Sequence, residues 1–157
     1  MADISNSANF INVSDITERV DELREERKDH DDENGTQRGQ DGELFGASAP
    51  DENGMRPANV WEEECSDDAE ELKRLENLLS QCKGYGGDHQ WEGNRYPQTL
   101  IADDYFPDYA QEFAEDIGAV SRDNAGWIVI DWKATAEGLK RDYSSVDYDG
   151  STYWYRG

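Results

Sequence analysis

Fourteen of the seventeen Phe, Trp and Tyr residues lie from residue 84 onward: four Trp, eight Tyr and two Phe. Large apolar side chains supply most of the drive to collapse, so a compact core is expected in this last part of the chain. It centres on Tyr105–Gly118 and on the closing segment Ile130–Tyr155. Residues 1–83 instead carry mostly charge, with 23 acidic and 9 basic side chains. The division expected is an acidic helical region over 1–83 and an aromatic-rich α+β domain over 84–157.

Charge bounds the function next. The 157 residues hold 37 acidic against 15 basic side chains, a formal net charge of −22. Solubility alone asks for a magnitude of about 2–8 in a small domain. Residues 84–157 contribute 14 acidic and 6 basic groups, so both parts are acidic. Such a surface repels a phosphate backbone, which argues against direct binding of nucleic acid. Its natural complement is a protein that itself binds polyanions, although a surface adapted to high salt has the same composition. No apolar run approaches membrane-spanning length and Met1-Ala-Asp-Ile-Ser5 is not a signal peptide, so a cytoplasmic protein with no membrane partner is expected. Two cysteines make no disulfide framework.

In the first part, Ser14 reads as a helix cap, and Val13, Ile16, Val20 and Leu23 form a narrow apolar stripe on a helix of about 14–29. The stripe fades at Arg27 and His30. Residues 30–60 contain five Gly, two Pro and two Asn-Gly pairs, the composition of a flexible linker. Asp29–Gly35 fails as a calcium loop because its Gly falls one position late and no bidentate Glu follows. A second helix is expected over about 62–83, with Cys65, Leu72, Leu75, Leu79 and Cys82 on one heptad frame. Two such helices predict an N-terminal helical hairpin or short coiled coil; the same seam would also serve a homodimer. Cys65, Cys82 and His89 match no zinc spacing, and neither metal nor cofactor is expected.

In the second part, Gly84–Gly87 reads as a turn and Tyr96–Ile101 as a short strand or extended arm. Pro107 suits the first turn of a helix whose inner face is Phe106, Tyr109, Ala110, Phe113, Ala114 and Ile117, closed by Gly118. Trp127–Ile130 reads as a buried strand. Asp131 caps a helix over Trp132–Arg141 with Ala136 and Leu139 inward. Ser145–Tyr148 and Ser151–Tyr155 flank Asp149-Gly150, a strong hairpin signal. The sum is a small domain of about two helices and a β-hairpin.

No catalytic constellation stands out, and a non-enzyme is expected. His89 has no nucleophile context, and pairs such as Asp103-Asp104 or Glu115-Asp116 are common among 37 acids. The acids do form ladders, Asp108/Glu112/Glu115–Asp116 and Glu63/Asp67/Glu70–Glu71/Glu76. Carboxylates at i and i+4 advance about 6 Å along a helix, close to two phosphate steps of about 3.4 Å along a DNA strand.

The run Asp104–Gly118, with Ile130-Asp-Trp132-Lys-Ala-Thr-Ala136, Leu139, Asp142-Tyr143, Asp149-Gly150 and Tyr153-Trp-Tyr-Arg156, resembles the C-terminal part of the ArdA-type acidic antirestriction proteins. The likeness covers about 65 residues from Trp91 onward, and the N-terminal helices and linker depart from that family. It implies an acidic surface that imitates DNA, carried by a phage or mobile element, and no catalytic residue. The partner expected is a host defence complex that binds DNA, a restriction enzyme or CRISPR effector. The contacts expected are Asp104, Asp108, Glu112, Glu115, Asp116, Asp142, Asp147 and Asp149. The competing expectation is an acidic coiled-coil adaptor that binds through Leu72, Leu75 and Leu79.

Overall fold

The computed structural model describes residues 4–84, 87–118 and 129–156. In chain order the elements are β1 (Phe10–Asn12), α1 (Val13–Asn34), α2 (Trp61–Glu64), α3 (Ser66–Cys82), β2 (His89–Trp91), β3 (Asn94–Tyr96) and β4 (Thr99–Ala102). Then follow α4 (Phe106–Asp116), α5 (Trp132–Leu139), β5 (Ser144–Tyr148) and β6 (Ser151–Tyr155). Two compact units result: Thr17–Asn77, and the chain up to Ile16 joined with the chain from Leu78.

The second of these units is built on an antiparallel four-stranded sheet of order β1-β4-β6-β5. Alternation sets which side chains face inward: Val146 and Tyr148 on β5, Tyr153 and Tyr155 on β6, all buried. The turn between them places Asp149 at φ 48° and Gly150 at φ 84°, the paired left-handed residues a tight hairpin requires. Pro107 sits in the first turn of α4, and the amide of Gly118 closes the helix on the Glu115 carbonyl. Asp131 caps α5 by accepting the Ala134 amide at 3.1 Å. The helices bury Phe106, Ala110 and Ala136 against Ile101, with Tyr105, Tyr109, Leu139, Tyr143 and Trp154 around them. Lys140 lies over the Phe106 and Trp154 rings, 5.4 and 5.1 Å from their centroids.

The Thr17–Asn77 unit is held by arginines as well as by a small buried set of Val20, Leu23, Val60, Trp61, Leu72 and Leu75. Arg38 makes five hydrogen bonds: two to Asp31 (2.8 and 3.1 Å), two to Glu62 (2.9 and 2.8 Å) and one to the Gly42 carbonyl (2.7 Å). That uses every N–H of the guanidinium. Arg19, buried, forks onto Glu71 through two bonds of 2.9 Å and reaches Glu22 at 3.2 Å.

These arrangements correct the expected architecture. The chain is α+β with a four-stranded and a two-stranded sheet; among the described residues there is no long N-terminal helical hairpin or coiled coil. The segment read as an irregular leader instead supplies β1, pairing Ile11 with Leu100. The second N-terminal helix is broken at Cys65, whose φ of −122° and ψ of 54° leave the helical region between α2 and α3. Residues 35–60 do not form a featureless linker. They carry the Arg38 clamp, a bridge between Arg38 and Leu44, a 3-10 turn at Gly46–Ser48 and a turn closed by Asp51 on the Asn53 and Met55 amides. A second hairpin, β2–β3, turns through Glu92-Gly93 at φ 48° and 78°. Ile117, expected on the inner face of α4, is exposed. The strand expected at Trp127–Ile130 lies outside the described residues up to 128, and Val129 and Ile130 are not in a strand. Tyr85 and Gly86 of the Gly84–Gly87 turn also lie outside the described residues.

Candidate acidic partner-binding surface

The outer face of α4 and the 3-10 turn before it (Asp103–Tyr105) gather five of the eight expected contacts. Asp104, Asp108, Glu112 and Asp116 are exposed, and Glu115 is half-buried. Asp108, Glu112 and Asp116 recur every fourth residue, so they stand in a row with about 6 Å between rungs. Residues 106–116 contain no Lys or Arg, and among the described residues no basic side chain pairs with Asp104, Asp108, Glu112 or Asp116. Carboxylates this close favour the helical face only if something else holds the helix, because like charges at i,i+4 repel. The inner face of α4 does so through Phe106 and Ala110.

Neutral donors organise the row. Tyr105 donates its hydroxyl to Glu112 at 2.9 Å, and this bond pushes the phenol above its ordinary pKa. Gln111 donates to Glu115 at 3.3 Å. Tyr105, Asp108, Gln111, Glu112 and Glu115 line a shallow groove. Tyr105 and Gln111 were missed from sequence alone, although the i,i+4 spacing of Gln111 and Glu115 signals the second bond. Neighbouring Asp103 has a different fate. Lys140 bonds it at 2.7 Å and Trp154 Nε1 at 2.9 Å, and the Lys140 ammonium holds its carboxyl below the usual range.

The other three expected contacts lie on separate elements. Asp142 is exposed in the 3-10 turn Lys140–Asp142, next to Tyr143, whose hydroxyl meets that of Tyr109 at 2.6 Å. Burial, and then the Tyr109 bond, push the Tyr143 phenol well up. Asp147 is exposed on β5, where the Gln81 amide brackets its backbone: the side-chain NH₂ donates to the Asp147 carbonyl at 2.9 Å and the Asp147 amide donates back at 3.0 Å. Asp149 occupies the hairpin turn. No hydrogen bond described in the structure ties these three carboxylates to the α4 row.

Leu72, Leu75 and Leu79 are at most 3% exposed. They serve the interior of the chain and present no apolar stripe to a partner. Cys82 is buried, which pushes its thiol up to about 11, while Cys65 at the helix break is half-exposed. His89 lines a shallow polar hollow with Asn12, Ser14, Asp88, Gln98 and Thr99. Among the described residues no three His, Cys, Asp or Glu side chains converge as a metal site requires, and no helix is long and apolar enough to cross a membrane.

Comparison of the chain with protein-family models, with curated proteins and with solved structures finds no match. The functional reading therefore rests on the surface itself.

Proposed function

We propose that this is an anti-defence protein of a phage or mobile element: a non-enzymatic DNA mimic that acts in the cytoplasm of the host bacterium. It inhibits a restriction or CRISPR effector complex by occupying the groove that complex uses for DNA. The observation that carries the reading is the row Asp108, Glu112 and Asp116 on α4 with Asp104 in the turn before it, all exposed and, among the described residues, paired with no basic side chain. A groove lined by Lys and Arg gains from such a row the same steering and charge neutralisation it gains from phosphates. Asp142, Asp147 and Asp149 extend the acidic character to the 3-10 turn and the β5–β6 hairpin.

The test is DNA cleavage by a panel of purified restriction and CRISPR effector complexes, with the wild-type chain and a fourfold variant (Asp104→Asn, Asp108→Asn, Glu112→Gln, Asp116→Asn). The expected result is inhibition of one complex by the wild type, lost by at least about tenfold in the variant, since each charge-assisted contact is worth roughly 1.5–3 kcal/mol. Equal inhibition by both proteins would remove the α4 row from the mechanism. The competing reading is an acidic coiled-coil adaptor that binds through Leu72, Leu75 and Leu79, all three of which are buried.

A further inference from the structure

The chain contains two Asn-Gly pairs, Asn34-Gly35 and Asn53-Gly54, and the fold treats them differently. Such a pair carries an electrophile beside a nucleophile: the Asn carboxamide carbon and the backbone nitrogen of the following Gly. Ring closure between them is intramolecular, and the missing Cβ of Gly leaves the nitrogen open to approach. In a folded chain the rate then depends on whether the segment can open far enough to reach the closing geometry.

Asn34-Gly35 is pinned on both sides. Asn34 ends α1, and its side-chain NH₂ donates to the His30 carbonyl at 2.9 Å. Beyond it, the Thr36 amide donates to the Asp31 carbonyl at 3.0 Å, and the Asp31 carboxylate is forked by Arg38. Turning the Asn34 carboxamide toward the Gly35 nitrogen breaks its own bond and pulls on a helix end fixed at both sides.

Asn53-Gly54 is held only by its own turn. Residues 51–56 are all exposed. One carboxylate oxygen of Asp51 accepts the Asn53 and Met55 amides at 2.8 and 2.9 Å. The Asp51 carbonyl accepts the Gly54 amide, and the Asp51 amide donates to the Met55 carbonyl, both at 2.9 Å. Among the described residues no hydrogen bond leaves this turn, and the Asn53 carboxamide has no partner. Opening it frees the Gly54 nitrogen and breaks only bonds within the turn.

We infer that Asn53 is a site of spontaneous deamidation in the native protein and that the fold protects Asn34. A base takes the Gly54 N–H proton, the nitrogen bonds to the Asn53 carboxamide carbon, and the carbon–NH₂ bond breaks with loss of ammonia. Water then opens the cyclic imide at either of its carbonyls and leaves aspartate or isoaspartate. One water is consumed, one ammonia is released, and nothing is oxidised or reduced. Each event adds a negative charge to a unit already at net −13, and the isoaspartate product puts an extra backbone carbon into the turn that Asp51 closes. This goes beyond the mimicry reading and is independent of it.

The test is incubation of the full chain in mildly alkaline buffer, native and in parallel in urea, followed by tryptic digestion and tandem mass spectrometry. Cleavage after Arg38 puts the two pairs on separate peptides, and exchange of NH₂ for OH raises the mass of the one affected. In the native chain deamidation is expected to be at least about tenfold faster at Asn53 than at Asn34, narrowing to within about twofold in urea. Asn53→Gln, which has to close a larger ring, is expected to remove the native signal at that position with the thermal midpoint unchanged. Equal native rates, a faster Asn34, or a native Asn53 that stays intact while the urea sample deamidates overturns the inference. A tenfold ratio that persists in urea overturns it too, because the local sequence and not the fold would then set the rates.

Discussion

The Thr17–Asn77 unit and helix α4 are both strongly acidic, yet their carboxylates are put to opposite uses. The unit holds 21 acidic and 8 basic side chains, net −13, and its largest charge cluster is turned inward. Arg38 draws Asp31 and Glu62 together, Arg19 takes Glu71 and Glu22, Arg24 takes Glu76 at 3.2 Å and His30 meets Glu64 at 2.6 Å. These contacts tie residues 30–62 and α3 to α1. On α4 Asp108, Glu112 and Asp116 face outward, and neutral Tyr105 and Gln111 donate to Glu112 and Glu115. Net charge is therefore a poor guide to a binding surface. Among the described residues, what distinguishes the two regions is that Arg19 and Arg38 pair with acids of the first, while no basic side chain pairs with Asp108, Glu112 or Asp116 of the second.

The sharpest way to break the comparison is Arg38→Met. It leaves the Asp31 and Glu62 carboxylates, only 12% and 19% exposed at the side chain, without their cation. Removing one partner of such a network costs about 3 kcal/mol or more, so a separate early transition of the Thr17–Asn77 unit is expected in urea, read by circular dichroism. An unchanged midpoint would mean that the clamp holds nothing. The fourfold α4 variant is the counterpart. Its unfolding midpoint is expected to stay level or rise slightly, because repulsion along the helix is removed, while inhibition is lost. A large loss of stability there would show that those acids have structural partners after all.

Acid tests the paired carboxylates. Glu62 is held below the usual carboxylate range: its burial opposes the charged form, but the Arg38 bonds outweigh it. Asp103 is held low by Lys140. A carboxylate with a depressed folded pKa contributes stability that is present above its unfolded value and is lost as pH falls through the folded one. Stability is thus expected to hold level from pH 7 to about 5 and to fall below about 4 as Glu62 and Asp103 are protonated, measured as the thermal midpoint across buffers. A midpoint that stays level through that acid range would refute the pairing half of the account. The smallest effect expected is Lys140→Met. It removes one bond to Asp103 but keeps an apolar stem over Phe106 and Trp154, so a loss of about 1 kcal/mol in urea unfolding is anticipated.

Local chemistry made the C-terminal elements legible. Asp149-Gly150, Pro107, Gly118 and the Asp131 cap each have a mechanism that acts within a few residues, and each stands where the sequence puts it. What escaped depends on distant partners. Strand β1 is three residues of Phe-Ile-Asn with no alternation to reveal it, and it exists because Thr99–Ile101 lies alongside. The Arg38 clamp joins residues 31, 38, 42 and 62, which no period connects, so a stretch rich in Gly and Asn read as linker. The heptad frame through Leu72, Leu75, Leu79 and Cys82 identified buried positions but not their role: the apolar stripe reports burial, and burial within the chain looks the same as burial in a coiled coil. Of the candidate site, the α4 row was legible because i,i+4 spacing alone places it on one face. The remaining three acids were grouped with it by charge, and the fold sets them on other elements.

The central claim is that the α4 acids stand in for DNA phosphates. The most direct measurement is capture of a DNA-handling defence complex from bacterial lysate on the immobilised chain, across a salt series, with and without excess duplex DNA and with the fourfold variant alongside. The account predicts a complex that binds at low salt, falls away steeply as salt rises, is displaced by duplex DNA and is not retained by the variant. A partner that persists at high salt, ignores DNA and binds the variant equally well would contradict it.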